Sequence, residues 1–322
     1  MRKPVLLIQL NVPMGIGNKP IDDGNYLFTP EQKAAFLKEE PKAKEFFRRF
    51  LGAEEFINGI ERWCLWLGDC PPEKLRLMPL ALERVENVRK FRLASKSTPT
   101  RKIAGRPTRF HVENMPRKNY LLIPRVSAEL RKYIPMGFVA PKFISSDATL
   151  IIQNATLFHF GILSSTMHMA WVRQVCGRLK SDYRYSASLV YNNFPWPNTN
   201  SQQRGRVAAK AQAVLAQRQL HLPPRGHATL ADLYDPLSMP SELLRAHEEL
   251  DRAVEKCYRS EPFHSDRERV EFLFSLYEKL TAPLLPVTPK GRAHRQQDTT
   301  KTQRPARART PVLPGHSPLA SL

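Results

Sequence analysis

The 322-residue chain is 42% hydrophobic and 25% charged, which is enough apolar content for two globular domains of ordinary size. No apolar run approaches the roughly 20 residues needed to span a bilayer, and the first residues lack a small-residue cleavage site. We therefore expect a cytoplasmic protein without a membrane partner.

The charge is strongly unbalanced, because 50 Lys and Arg against 30 Asp and Glu give a formal net charge of +20. Residues 286–322 hold seven Lys or Arg and one Asp, so residues 1–285 still carry +14. A basic tail alone does not explain this excess, and DNA or RNA is the expected partner. The four cysteines show neither a Cys-x-x-Cys pair nor a Cys/His cluster at zinc-ligand spacing, so we expect reduced thiols and no metal.

The N-terminal part begins with a turn-rich segment and continues with helical patterns. Residues 15–24 are rich in Gly, Asn and Asp, and we expect a structured loop there. A capping-box pattern at residues 29–32 predicts a helix that runs to residue 40. Three phenylalanines at helical spacing within residues 41–51 predict a second helix with an aromatic core stripe, ending at Gly52.

Short apolar runs bounded by Pro, Gly, Asn and Ser follow, and they predict strands. These runs are residues 63–67, 120–123, 137–140 and 149–152. Residues 75–96 have a helical pattern. Residues 97–109 are rich in Lys and Arg, which favours a loop lying against phosphates, and a solvated surface loop is the alternative. The candidate phosphate contacts of this segment are Arg101, Lys102 and Arg106.

The pattern becomes wholly helical after residue 197. Helices are predicted over residues 202–219, over 243–257, and after a capping-box pattern at 265–268. From about residue 286 the chain is rich in Pro, Arg, Thr and Gln with few apolar residues, so we expect it to be disordered.

The most informative stretch is residues 177–186, Gly-Arg-Leu-Lys-Ser-Asp-Tyr-Arg-Tyr-Ser, in which basic and aromatic side chains alternate. It is too interrupted to be a buried helix. Arg178 and Arg184 are candidates for gripping phosphates, with Tyr183 and Tyr185 stacking or packing beside them. This pattern indicates a surface that binds nucleic acid.

The same stretch resembles the target-recognition domain of the bacterial fused restriction-modification enzymes typified by MmeI, in which one polypeptide carries nuclease, adenine methyltransferase and specificity regions. The resemblance covers nearly all of residues 13–285, and the helical region is similar to the C-terminal region of that family. Its most distinctive segments are residues 15–24, 56–66, 131–138, 167–173 and 193–197.

The resemblance implies that the two residues flanking Ser181, Lys180 and Asp182, read one base pair of a DNA target. A lysine ammonium donates to guanine O6 and N7, and an aspartate accepts from the cytosine amino group, so we predict a G·C pair with Lys180 facing G. A surface ion pair between the two side chains is the alternative. By the same resemblance Ala148 and Arg184 read a second base pair, with a phosphate clamp as the alternative role of Arg184.

Catalysis is not expected from this chain alone. The resemblance implies adenine methylation, which needs an Asn/Asp-Pro-Pro-aromatic loop at the flipped base and a Gly-rich loop at the cofactor. The sequence contains neither, since Asp235-Pro236 is followed by Leu237. We therefore expect no cofactor here, and S-adenosylmethionine in a methyltransferase domain or subunit supplied elsewhere. The chain begins almost where the recognition domain should, so we expect a truncated product, half of a split enzyme or a reassigned reading frame.

These observations predict an α+β protein. A mixed strand and helix DNA target-recognition domain spans residues 1–197, a small all-α domain spans 198–285, and a disordered basic tail spans 286–322. We expect the chain to read a short site on double-stranded DNA for a methyltransferase elsewhere. Two alternatives stay open: a complete enzyme with an unrecognised active site, and a non-specific nucleic-acid-binding accessory protein.

Overall fold

A computed structural model describes residues 12–282, so the opening residues and the basic tail predicted to be disordered lie outside the described range. In chain order the strands are β1 (Met14–Ile16), β2 (Leu27–Phe28), β3 (Phe47–Leu51), β4 (Trp63–Leu65), β5 (Tyr120–Pro124), β6 (Val126–Ser127), β7 (Gly137–Val139), β8 (Ile144–Ser145), β9 (Thr149–Gln153), β10 (Gly177–Leu179) and β11 (Asp182–Arg184). The helices are α1 (Pro30–Glu39), α2 (Ala53–Asn58), α3 (Pro72–Arg76), α4 (Pro79–Ala94), α5 (Thr98–Lys102), α6 (Leu157–Leu163), α7 (Thr166–Val175), α8 (Ser201–His221), α9 (Leu230–Leu233), α10 (Ser241–Glu255) and α11 (Asp266–Thr281). This mixture confirms the predicted α+β class.

The four apolar runs predicted as strands all contain strands: β4, β5, β7 and β9. Three of them, together with β1, form an antiparallel sheet in the order β1-β9-β5-β7. Every residue of β5 is buried, which explains why its run is continuously apolar rather than alternating. A second sheet has the order β2-β4-β3-β8, and a third has the order β10-β11-β6.

The prediction of a helix after Pro41 is wrong. Residues 41–46 form a short 3-10 helix, and the chain then enters β3, which pairs antiparallel with β4 and parallel with β8. Phe46, Phe47 and Phe50 are buried, but pairing on both edges of β3 satisfies the backbone in an extended conformation that suits phenylalanine. Gly52, predicted to end that helix, instead lies at the N-cap of α2.

The other helix predictions are confirmed in position, except that the pattern over residues 75–96 is divided at residues 77–78 into α3 and α4, with Pro79 starting the second helix. Thr29 and Gln32 cap α1 reciprocally, as the capping-box pattern predicts. At α11 only half of the predicted box forms: Ser265 accepts from the Glu268 N–H, while the Glu268 carboxylate accepts from the His264 N–H. The basic segment 97–109, predicted as a loop, contains α5 and a 3-10 turn.

One apolar core connects the strands to the C-terminal helices. Leu121 of β5, Phe160 of α6, Val207 of α8 and Leu250 of α10 belong to the same buried cluster. Helix α6 approaches α8 at Gly161, where a Cβ atom would lie 2.7 Å from the Val207 side chain, so the close approach requires glycine. The division predicted at residue 197 therefore crosses a shared core, and it stays a prediction.

All four cysteines are unpaired. Residues 12–282 contain no group of His, Cys, Asp and Glu side chains suited to holding a metal ion. Within the same residues, no helix combines the length and the apolar character required to cross a membrane.

Candidate nucleic-acid interface

The basic and aromatic stretch at residues 177–186 forms a β-hairpin. Strand β10 pairs with β11, which also pairs with β6, and Lys180 and Ser181 make the tip. Lys180 has a φ of 55°, a left-handed conformation that costs a non-glycine residue about 1–2 kcal/mol. Two-residue hairpin loops commonly require such a positive φ, so the conformation follows from the tightness of the turn. The hairpin thus holds the Lys180 side chain in solvent at its tip.

The partner predicted for Lys180 in base reading, Asp182, is half-buried on β11. Its Oδ1 atom accepts a hydrogen bond from the Glu129 N–H at 3.3 Å. Burial lowers the pKa of Arg131, and the negative charge of Asp182 opposes that shift. Among the ion pairs of residues 12–282, none joins Lys180 to Asp182. The alternative in which these side chains neutralise each other therefore has no contact to support it.

Arg178, predicted to grip phosphates, lies in contacts within the hairpin. Its Nη1 atom donates to the Ser181 carbonyl at 2.9 Å and to Glu129 Oε1 at 3.2 Å. Its guanidinium carbon also lies 4.2 Å from the centroid of the Tyr183 ring. These contacts connect Arg178 on β10 to the hairpin tip, to Glu129 and to β11. Arg178 would have to give up some of them in order to contact a phosphate.

The two tyrosines of the hairpin are buried, which corrects the prediction that they contact DNA. Tyr183 is 3% exposed and Tyr185 is 1% exposed, so neither ring is available for stacking on a base. The packing role is the one that the structure supports. Tyr185 lies with its hydroxyl 2.9 Å from His168 Nε2 in the core, and burial raises its pKa well above the usual value.

Ala148 and Arg184, predicted to read a second base pair, are linked through the backbone of one residue, Arg125: Ala148 directly precedes β9, and Arg184 ends β11. The Arg125 N–H donates to the Ala148 carbonyl at 3.1 Å, and the Arg125 carbonyl accepts from the Tyr185 N–H at 2.7 Å. Ala148 and Arg184 are both exposed. The end of β11 thus lies beside the start of β9, which brings the exposed residues Ala148 and Arg184 near each other. We call the surface formed by Ala148, Arg184 and the hairpin tip the hairpin face.

The glycine-rich segment 15–24 supports this face. The Gly17 N–H donates to the Thr149 carbonyl at 3.1 Å. A Cβ atom at Gly17 would lie 2.1 Å from the Ser146 carbonyl oxygen, so only glycine permits this approach. Nearby, Lys19 Nζ lies 3.8 Å from the Asp147 carboxylate.

The basic segment 97–109 is folded around a buried arginine of α4. Arg92 is 0% exposed and donates to the carbonyls of Pro20, Ile21, Ile103, Arg106 and Arg109. It therefore ties the basic segment to the glycine-rich segment. In residues 12–282, no hydrogen bond or ion pair connects the basic segment to the hairpin.

The three candidates of the basic segment differ in their availability. Arg101 Nη1 donates to the carbonyls of Ser95 and Lys96, so its guanidinium is already bound to the backbone that follows α4. Lys102 and Arg106 are exposed, and their side chains make no hydrogen bond or ion pair with residues 12–282. Of the three, these two are the better placed for phosphate contact.

Sequence reasoning missed Arg125, Asp147 and Glu129, which the structure adds to the hairpin face. Arg125 Nη1 donates to the Asp147 carbonyl at 2.9 Å, and both residues border Ala148. In a chain with 50 Lys and Arg, a single arginine at a strand end carries no distinguishing signal. Only the pairing of β5, β6, β9 and β11 places these residues together.

Comparison with known families gives matches across residues 6–285, which include every residue that the structure describes. Residues 6–198 match the family described as the MmeI target recognition domain, and residues 199–285 match the MmeI C-terminal domain. The class of protein is therefore that of the sequence-recognition parts of restriction-modification enzymes. The chain belongs to the MmeI family, which confirms the resemblance seen in its sequence.

Two relatives illustrate this membership. "DNA methyltransferase A" of Bacillus subtilis (strain 168) is 40% identical over 265 residues, which are 82% of this chain and 30% of that protein. The solved structure of the Type IIL restriction-modification enzyme MmeI in complex with DNA is 48% identical, with a TM-score of 0.83. It covers 87% of this chain and 37% of the MmeI chain. The chain thus spans about a third of the length of these relatives.

Proposed function

We propose that this chain is the part of a bacterial restriction-modification methyltransferase that recognises a DNA sequence. The observation that carries the proposal is the hairpin of residues 177–184, which holds an exposed lysine at a strained tip beside a half-buried aspartate. Membership of a target-recognition family and the charge of +14 in residues 1–285 support it. As a DNA-binding protein, it would work in the bacterial cytoplasm.

Lys180 and Asp182 are proposed to read one base pair in the major groove. The ammonium of Lys180 donates to O6 and N7 of a guanine, and Asp182 accepts from N4 of the paired cytosine. The hydrogen bond from the Glu129 N–H occupies Asp182 Oδ1, so Oδ2 is the atom proposed for the cytosine. The preferred pair at this position is therefore G·C.

A second base pair is proposed to be read beside Ala148. Arg184 supplies the donors for it, and the small Ala148 side chain leaves room for a base edge. Arg125 and Asp147 border the same place and are further candidates for this contact. Lys102 and Arg106, with a smaller contribution from Arg101, are proposed to bind phosphates and to fix the orientation of the duplex.

Methyl transfer is proposed to take place in a different domain or subunit. That partner would bind S-adenosylmethionine and flip the target adenine, while this chain holds the duplex in register. The relative named DNA methyltransferase A supports this division, because the match covers only 30% of its length.

Selection from a pool of randomised duplexes, followed by sequencing, tests the proposal on the purified full chain. We expect enrichment of a short motif that contains a G·C pair at one required position. The double variant Lys180→Gln/Asp182→Asn should lose the preference at that position. A control is Lys210→Gln/Glu249→Gln, which removes the same two charges from α8 and α10 and should retain the motif.

Two results would contradict the proposal. The selection could enrich no motif, even when the chain is combined with a methyltransferase partner. That result would favour the alternative of a non-specific nucleic-acid-binding protein. A calorimetric titration that shows S-adenosylmethionine binding to the chain alone would favour the alternative of a complete enzyme with an unrecognised active site.

A further inference from the structure

Glu129 touches both strands of the recognition hairpin. It follows β6, the third strand of the hairpin sheet. Its N–H donates to Asp182 Oδ1 at 3.3 Å, and its Oε1 accepts from Arg178 Nη1 at 3.2 Å. The Glu129 side chain is 47% exposed, so it is a carboxylate in solvent beside a surface that would meet DNA.

A carboxylate at this place is unexpected on electrostatic grounds. Phosphates repel it, so it lowers affinity for every duplex, whatever its sequence. A residue that opposes all DNA equally can still improve discrimination between sequences, if it suppresses contacts that do not depend on sequence. The contacts of Glu129 indicate how it does so.

The first contact concerns Arg178. Glu129 neutralises its guanidinium, which the Ser181 carbonyl and the Tyr183 ring also hold. A guanidinium that is 35% exposed beside a polyanion would otherwise gain energy from any phosphate in reach. Because Glu129 holds it, Arg178 stabilises the tip of the hairpin and does not contribute sequence-independent contacts with phosphates.

The second contact concerns Asp182. A hydrogen bond of 3.3 Å is long and contributes little energy, but it orients the carboxylate. With Oδ1 facing the Glu129 N–H, the other oxygen has a defined direction for a base. Both contacts therefore act on the geometry of the base-reading residues rather than on DNA directly.

We propose that Glu129 is a positioning residue that sets specificity by holding Arg178 on the hairpin tip and away from phosphates. This inference rests on the proposed DNA-reading function. Without the Glu129 charge, Arg178 becomes available to the backbone, binding becomes less dependent on sequence, and the base pair read by Lys180 and Asp182 is discriminated less well.

The test uses Glu129→Gln in the full chain, which keeps the shape of the side chain and removes its charge. Fluorescence titration should show a roughly two- to five-fold tighter binding to a duplex without the selected motif. The plot of log K against log salt should become steeper by about 0.9, the slope of one extra phosphate contact. In pool selection, preference should weaken at the one position read by Lys180 and Asp182 and stay unchanged elsewhere.

Two further variants separate the proposed role from a general effect of charge. Glu249→Gln adds the same charge on α10, away from the hairpin, and should leave the motif unchanged. In Glu129→Gln/Arg178→Gln the salt slope should return to that of the unsubstituted protein, because the freed cation is gone. Thermal unfolding checks that each variant is folded, and Glu129→Ala provides a second variant with the same expected direction.

A salt slope and a motif that both stay unchanged in Glu129→Gln would overturn the inference. Loss of preference at every position, without a steeper salt slope, would also overturn it, since that result indicates a general loosening of the hairpin. If the unsubstituted chain selects no motif, the proposed function itself fails, and that failure is visible before any variant is made.

Discussion

The Nε2 atom of His168 lies 2.9 Å from the phenolic oxygen of Tyr185, and both side chains are buried. Tyr185 directly follows β11 of the recognition hairpin, whereas His168 lies on α7 in the core. The bond therefore fastens the hairpin to the interior of the protein. It explains how a short hairpin with exposed β10 residues keeps a defined position.

Tyr185→Phe should destabilise the protein by about 1–3 kcal/mol, because it leaves a buried imidazole nitrogen without its partner. Urea denaturation followed by tryptophan fluorescence measures this. The matched control is Tyr183→Phe on the same hairpin, whose hydroxyl makes no hydrogen bond within the described residues and whose loss should cost less than about 0.5 kcal/mol. Equal effects of the two variants would contradict the anchoring role.

Acidification should destabilise the fold from about pH 6.5 downwards. Burial lowers the pKa of His168 from 6.5 to about 3, and it lowers the pKa of His247 well below 6.5. As the pH falls below 6.5, these histidines take up protons in the unfolded chain but not in the folded one. Each therefore removes about 1.4 kcal/mol of stability per pH unit, until the pH approaches its folded pKa.

Asp251 opposes this trend in part of the range. Burial raises its pKa to about 6, so between pH 6 and 3.8 it binds a proton more readily in the folded chain and adds stability on acidification. Of these three groups, the two histidines remove more stability between pH 6.5 and 5 than Asp251 adds. The free energy of unfolding should fall over this range, and it should fall less steeply in His168→Asn. An identical pH dependence in both proteins would contradict a neutral buried His168.

The sequence predicted the elements whose signals are local. Continuous apolar runs identified β5 and β9, and the capping residue Thr29 identified the start of α1. Residues 47–51 were misassigned because their extended conformation depends on pairing with β4 and β8, the latter nearly a hundred residues away.

The candidate site was predicted in part for the same reason. Lys180 and Asp182 came from the family resemblance, since two charged residues in a loop have no signal of their own. Glu129 and Arg125 were not identified from the sequence, because their hydrogen-bond partners lie about 20 to 50 residues away in the chain. The burial of Tyr183 and Tyr185 was not visible in an alternating basic and aromatic pattern.

Arg184→Ala should remove discrimination at one base pair, different from the pair read by Lys180 and Asp182, by about 1–3 kcal/mol. Binding of the selected duplex and of its single-base variants measures this position by position. Arg267→Ala on α11, which removes a highly exposed arginine elsewhere, should leave the preferences unchanged. If Arg184→Ala weakens all duplexes equally and reduces the salt slope by about one contact, Arg184 is a phosphate clamp instead.

Lys102→Gln/Arg106→Gln should weaken binding to all duplexes and reduce the salt slope by up to about two phosphate contacts, with the selected motif unchanged. Arg101→Gln should have a smaller effect on the slope, because this arginine already donates to the carbonyls of Ser95 and Lys96. Salt titrations of the three proteins on one duplex provide the comparison. A change of motif in the double variant would show that the segment reads bases.

The most direct test of base reading exchanges the charges of the hairpin pair. In Lys180→Glu/Asp182→Arg the net charge is the same, but an acceptor now faces the guanine and a donor faces the cytosine. Selection from randomised duplexes should then enrich C·G in place of G·C at that one position, with the rest of the motif retained. An unchanged motif bound uniformly more weakly would contradict the account, because it would place these side chains on the phosphate backbone.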